Sequence, residues 1–229
     1  MPEKLESMAR KPKRRSSPKG NNTPANTDLA LRIVGGNFRG RKLKYAGDPR
    51  VRPMKDRVRE ALFNLLGPDI KGLFAIDLFG GTGALALEAI SRGATGAKVI
   101  ERHRPTAKVI RENIETLDLA DQVELIVADS IRWWRDDPQL TDDPWVVFIS
   151  PPYRFFTERS EEMLTMISHA IDRAPIGSMI AVEATKEFDF DTLPCPDLWD
   201  VRSYPPAVVA LLVVTPEIRP AAAEGSQSS

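Results

Sequence analysis

Leu73-Phe-Ala-Ile-Asp77-Leu-Phe-Gly-Gly-Thr-Gly83, running directly into Ala84-Leu-Ala-Leu-Glu-Ala-Ile-Ser91, decides the fold. A short apolar run ends in an acid, passes through three glycines within four residues, and enters a stretch of strong helix formers closed by Gly93. That is a buried strand over Leu73–Leu78, a tight loop, and a helix over Ala84–Arg92. The glycines allow sharp turning and close approach of a ligand to the backbone. The spacing is not the dinucleotide G-x-G-x-x-G, because Ala84-Leu-Ala follows Gly83. A phosphate-binding P-loop is also excluded, since no Lys-Ser/Thr pair follows.

The same alternation continues outward. Strands are predicted over Ala97–Glu101, Val123–Val127, Trp145–Ile149 and Ser178–Val182, with helices over Pro105–Leu117 and Glu158–Arg173. Trp199–Arg202 and Ala207–Val214 read as two closing strands with little room for a helix between them. The expected fold is α/β: a mostly parallel seven-stranded sheet with one antiparallel edge strand and helices on both faces. Upstream, Leu31–Tyr45 reads as a small β-hairpin punctuated by Gly35, Gly36 and Gly40. Pro53 to Leu66 reads as a helix, with Val58, Ala61, Leu62 and Leu65 at helical spacing.

Formal net charge is zero, with 32 basic and 32 acidic residues, but the charges are unevenly distributed. Residues 1–66 hold 17 Lys and Arg against 6 Asp and Glu. Such a block points to nucleic acid, although a merely solubilising basic end has the same composition. The expected organisation is a disordered basic tail over 1–28, a basic hairpin and helix over 29–66, the α/β domain over 67–216 and a second tail over 217–229. A single cysteine, Cys195, excludes an internal disulfide and a cysteine-based zinc site; two histidines, His103 and His169, make no metal site. The amino end lacks the apolar core of a secretory signal, and no apolar run reaches membrane-spanning length. The expectation is therefore a cytoplasmic protein without membrane or metal.

Three further signals fall at strand ends, where open α/β sheets bind ligands. Glu101 can accept hydrogen bonds from both hydroxyls of a ribose, and Asp129 from an adenine amino group. Each alone would pass for a solvated surface acid. The fourth strand runs into Ser150-Pro-Pro-Tyr153. Two prolines stop the ladder and form a stiff extended turn. A tyrosine held there can stack on an extruded base, while the Ser150 hydroxyl and nearby carbonyls accept from an exocyclic amine. Of Trp133 and Trp134, one could reach the adenine, with core packing as the alternative.

These four motifs, in this order, resemble the class I methyltransferases. The tetrapeptide resembles that of the amino-methyltransferases, Asp/Asn-Pro-Pro-Tyr/Phe, with Ser150 in place of the acid or amide. Arg32-Ile-Val-Gly-Gly36, Arg39-Gly-Arg-Lys-Leu43 and Arg52-Pro-Met-Lys-Asp-Arg-Val-Arg-Glu-Ala-Leu-Phe-Asn64 resemble the RsmD family, guanine-N2 methyltransferases of bacterial small-subunit ribosomal RNA. The resemblance spans about Leu31 to Thr215. It implies a Rossmann-like fold and S-adenosyl-L-methionine held by Asp77, Phe79, Gly80, Gly81, Gly83, Glu101, Arg102, Asp129 and Ser130. It further implies a target base held by Ser150, Pro151, Pro152 and Tyr153. Arg32, Arg39, Arg41, Lys42, Arg52, Arg57 and Arg59 would face RNA or brace the site, with pairing to Asp56 or Glu60 as the alternative for Arg57 and Arg59. The implied partner is ribosomal RNA, free or within an assembling small subunit, and the implied enzyme is a monomer. A DNA-adenine or protein-amide target, an RNA-binding homologue that lost chemistry at Ser150, and a nicotinamide enzyme are the competing readings.

Overall fold

The computed structural model describes residues 31–45, 47 and 53–218. Seven strands form one sheet: β1 (Phe74–Asp77), β2 (Gly96–Ile100), β3 (Val123–Ile126), β4 (Trp145–Ile149), β5 (Met179–Thr185), β6 (Asp200–Tyr204) and β7 (Ala207–Val213). Their order is β3-β2-β1-β4-β5-β7-β6. The first five run parallel, and β7 lies antiparallel between β5 and β6. The antiparallel element expected at this edge is thus a hairpin, with β7 one position in from the rim.

Neighbouring residues of each strand serve opposite layers, as the period of two requires. Ala75, Val146 and Ala181 face one core with α1 (Asp56–Leu66), α2 (Ala84–Ser91) and α3 (Arg104–Thr116). Ile76, Val147 and Ile180 face the other with α4 (Ser130–Arg135), α5 (Phe155–Glu158) and α6 (Ser160–Arg173). Central strands buried on both faces account for the continuous apolar runs in the sequence. Trp134 is fully buried in the second layer, edge-on to Trp145 and His169. It is therefore a core residue; Trp133 packs partly buried at the margin of the same layer. The long helix predicted over Glu158–Arg173 is two helices, broken at Arg159.

The N-terminal segment makes a single antiparallel bridge, Arg32 to Lys42, rather than a regular hairpin. Hydrogen bonds from Ile33 N–H to the Arg41 carbonyl at 3.0 Å and from Leu43 N–H to the Leu31 carbonyl at 2.7 Å flank that bridge, while other amides of the segment bond α2. Val34 N–H donates to Glu88 Oε2 at 2.7 Å, Asn37 N–H to the Ser91 carbonyl at 2.7 Å and Phe38 N–H to Ser91 Oγ at 2.9 Å. The segment thus caps the carboxyl end of α2, whose last carbonyls otherwise lack partners. Gly36 permits the approach: its φ is +72°, and a Cβ there would lie 1.9 Å from the Ser91 carbonyl oxygen. Asn113 of α3 grips the end of the segment, accepting from Lys44 N–H at 2.7 Å and donating to its carbonyl at 3.0 Å. Among the described residues, no helix is long and apolar enough to cross a membrane.

Candidate active site

The sheet changes direction between β1 and β4, since β2 lies on one side of β1 and β4 on the other. At such a point the connecting helices leave opposite faces and open a crevice at the carboxyl ends of the strands. A cavity of about 650 Å³ lies there, within the roughly 300–1,000 Å³ usual for small-molecule sites. Gly81, Glu101, Asp129 and Tyr153, from four separate strand ends, all line it.

One half is built on β1, β2 and β3. Phe79, Gly80, Gly81 and Thr82 form its floor. Gly80 leaves no room for a side chain, as a Cβ would meet Val99 Cγ1 at 2.6 Å. Glu101 stands beside this loop, its Oε2 accepting from Gly81 N–H at 2.9 Å and its Oε1 from His103 N–H at 2.6 Å. A carboxylate offers about four acceptor positions, so these two bonds fix its orientation and leave capacity for a ligand. Asp129 caps α4, accepting from Arg132 N–H at 3.1 Å, and lies 3.7 Å from the exposed Arg102 guanidinium. Arg102, His103 and Ser130 line the same wall.

Asp77 and Gly83 do not line the cavity, which corrects their expected place in its wall. Gly83 takes a left-handed φ of +73° at the start of α2 and packs on Ile110. Asp77 is buried at the end of β1, where the Phe79 and Ala86 amides approach its carboxylate without full hydrogen-bond geometry. Burial raises its pKa to about 7; the charge on Glu101 adds to this, while the Phe79 and Ala86 amides oppose it.

The other half is built on β4, β5 and the β6–β7 turn. Ser150, Pro151, Pro152 and Tyr153 line it together with Pro206 and Ala207. Phe79 and Phe155 meet edge-on, ring centres 6.2 Å apart, where the two halves join. Glu183, which the sequence reading did not single out, completes this half. It is buried on β5, accepts from the Tyr153 hydroxyl at 2.8 Å through Oε1, and accepts from the Ser150 hydroxyl through Oε2. The apolar run in the sequence predicts a strand ending at Val182. The observed strand continues to Thr185 because β7 pairs with it throughout, Glu183 opposite Val209. An acid following an apolar run was the only local signal.

Pro53, Met54, Lys55 and Val58, from the N-terminal basic block, also line the cavity. Arg32, Arg39, Arg41, Lys42 and Arg57 are exposed; Arg32 pairs with Asp56 at 2.9 Å, and Arg41 donates to the Thr116 carbonyl at 3.3 Å. Arg52 lies outside the described residues. Arg59 is completely buried, which removes it from the RNA-facing set and leaves its bracing role. Its guanidinium bonds Asp56 Oδ1 at 2.9 Å, the Met54 carbonyl at 3.3 Å and the Arg32 carbonyl, and lies 3.7 Å from buried Glu88. Desolvation lowers its pKa, against the pull of Asp56 and Glu88.

The strand order and the glycine loop at the switch point define the class I methyltransferase fold. A solved structure of the candidate methyltransferase yhhF from Escherichia coli matches 81% of this chain and 98% of its own, at 31% identity and a TM-score of 0.66. The family described as conserved hypothetical protein 95 matches residues 31–203, and the chain belongs to that family, the RsmD family of the sequence resemblance. Ribosomal RNA small subunit methyltransferase D of Escherichia coli is 40% identical over 124 residues, which cover 54% of this chain and 61% of that protein. The match thus spans about three-fifths of that relative's length. The Haemophilus influenzae protein of the same name is 34% identical over 158 residues, covering 69% of this chain and 80% of the relative.

Proposed function

We propose that this chain transfers the methyl group of S-adenosyl-L-methionine to the exocyclic N2 of a guanine in small-subunit ribosomal RNA. One observation carries the reading: the Ser150–Tyr153 turn shares a single cavity with the glycine loop, Glu101 and Asp129. The names of the relatives support the substrate class.

The residues present suit such a cofactor. Backbone without side chains at Gly80 and Gly81 lets the ligand lie against the loop. Glu101 would take the ribose hydroxyls and Asp129, with Ser130 beside it, the adenine edge. Arg102 would hold Asp129 in place, and Phe79 would cover the loop. Asp77 would act from beneath, as a negative charge toward the cationic end. When bound, the cofactor supplies an activated methyl group on sulfur.

The chain's own contribution is alignment. A guanine amine is a poor nucleophile because its lone pair is delocalised into the ring, so much of the rate must come from holding it in line. Tyr153 would stack on the extruded base, with Pro152 stiffening the turn; Ser150 Oγ and the Pro151 carbonyl would accept from the amine as positive charge develops. Arg32, Arg39, Arg41, Lys42 and Arg57, with Arg52, would meet phosphates, so binding should weaken steeply with salt. Such a substrate places the enzyme's work in the cytoplasm, acting as a monomer on RNA or on an assembling subunit.

The test is nucleoside mass spectrometry of ribosomal RNA from cells with and without this protein. Loss of one N2-methylguanosine, restored by the purified chain and cofactor, is the expected result. An unchanged profile refutes the assignment.

A further inference from the structure

Ser150 poses a chemical problem that its neighbour answers. An isolated serine hydroxyl can donate as readily as it accepts, so it discriminates poorly between an amine and a carbonyl on a base edge. Here its proton is committed: Ser150 Oγ–H donates to Glu183 Oε2. What Oγ then offers a ligand is lone pairs alone, and the carboxylate behind makes them more electron-rich than those of a free hydroxyl. Tyr153 is held in the same way, its hydroxyl donating to Glu183 Oε1 at 2.8 Å. One buried carboxylate therefore fixes both side chains of the turn.

We infer that Glu183 supplies, through Ser150, the negative charge that the target site needs: a positioning residue that makes the turn selective for an exocyclic amine and accepts the amine's proton by relay. The inference rests on the base-methylation reading above and goes beyond it in naming the residue and the route. In the step, the nitrogen–carbon bond forms as the donor's sulfur–carbon bond breaks, leaving a neutral thioether. The nitrogen then loses one proton to Ser150 Oγ, while Oγ passes its own proton to Glu183 Oε2. The neutral Glu183 returns that proton to water once product leaves. A base edge presenting a carbonyl in place of the amine would meet only lone pairs and be repelled.

The experiment uses the full-length chain and its variants on small-subunit ribosomal RNA, following methyl transfer at saturating cofactor, with cofactor affinity measured separately by calorimetry. Glu183→Gln keeps shape and volume but points an amide donor at one of the two hydroxyls. Its kcat should fall by about 100-fold or more, the scale of a lost proton-transfer partner, with cofactor affinity within about twofold of wild type. Ser150→Asp alone should also be impaired, because it sets two carboxylates against each other. The double variant Ser150→Asp/Glu183→Gln moves the single carboxylate into the turn and should exceed either single variant, by about tenfold over Glu183→Gln. A purely structural Glu183 predicts no such rescue. If wild type is active and Glu183→Gln keeps its kcat, or the double variant is no better than Glu183→Gln, this inference falls and the function stands. If wild-type protein methylates no guanine in that RNA, both fall.

Discussion

The crevice has two halves that are built differently. On the β1–β3 side every strand has only parallel neighbours, and the ladders end nearly in line. Each acid sits at or just past its strand: Asp77 closes β1, Glu101 follows Ile100, and Asp129 follows Ile126 by three residues. On the β4–β5 side the parallel ladder stops at Ile149 opposite Val182, but the antiparallel partner β7 carries β5 three residues further, to Thr185 opposite Ala207. That overhang forms a rear wall. It places Glu183 inside a strand yet facing the Ser150–Tyr153 turn. A parallel sheet presents its chemistry from loops, whereas an antiparallel neighbour can raise a strand residue into the same crevice.

Pro53 to Lys55, just ahead of α1, also line the cavity, and Arg59 holds them through the Met54 carbonyl. The harshest way to break the distinction is therefore Arg59→Met. Among the described residues it would leave Glu88, fully buried, with Arg92 at 2.9 Å and the Val34 amide at 2.7 Å. Stripping one partner from a buried pair costs about 3 kcal/mol or more, roughly 6–12 °C in melting temperature for a domain of this size. Cofactor binding and methyl transfer should fall together. Arg57→Met, two residues away but exposed, should change stability by no more than about 0.5 kcal/mol while reducing the salt dependence of RNA binding by about one unit of slope. Equal thermal losses from the two variants would refute the separation of brace from contact.

Legibility followed the same division. The strand–helix alternation and both core layers could be read from apolar runs and helical spacing, because central parallel strands and amphipathic helices carry their burial in their own residues. The positions of Glu101 and Asp129 in the crevice are legible because each lies next to its own strand end. Glu183 was not, since its meaning depends on a partner strand some 26 residues later in the chain, Glu183 opposite Val209. Arg57 and Arg59 could not be separated from sequence either; only the fit of α1 against Glu88 of α2 decides which one is buried. The Gly35–Gly36 pair read as a turn, but its role is close approach to Ser91, a contact between segments more than 50 residues apart.

Glu101→Ala separates the halves. It removes the acceptor of the Gly81 and His103 amides, so the glycine loop loses its brace as well as the acid proposed to hold the ribose. Hydrogen bonds to a charged group contribute about 1.5–3 kcal/mol each, so calorimetry should show cofactor affinity falling by about 10–100-fold. Affinity for RNA, measured without cofactor, should stay within about twofold, because the hydrogen bonds of Glu101 go to Gly81 and His103 on the other side of the crevice. A comparable drop in RNA affinity would mean that the crevice behaves as one unit.

Asp77→Asn sharpens the contrast through pH. Asp77 titrates near 7 in the folded chain against an ordinary value of 3.8. Because the folded pKa is the higher one, the unfolded chain loses this proton first. Stability falls as pH rises from about 4 to about 7, and the full penalty remains above that. Below pH 4 both states are protonated and the residue contributes nothing. An amide avoids the penalty, so Asp77→Asn without cofactor should be the more stable protein at pH 8, by on the order of 4 kcal/mol, with most of the gain gone at pH 5. Added cofactor should shrink the gain, since a nearby positive charge favours the carboxylate. Melting curves for both proteins at the two pH values, with and without cofactor, test this. A variant less stable at pH 8 than at pH 5 relative to wild type would mean that the buried carboxylate is already compensated, and that the cofactor half carries no cost waiting to be relieved.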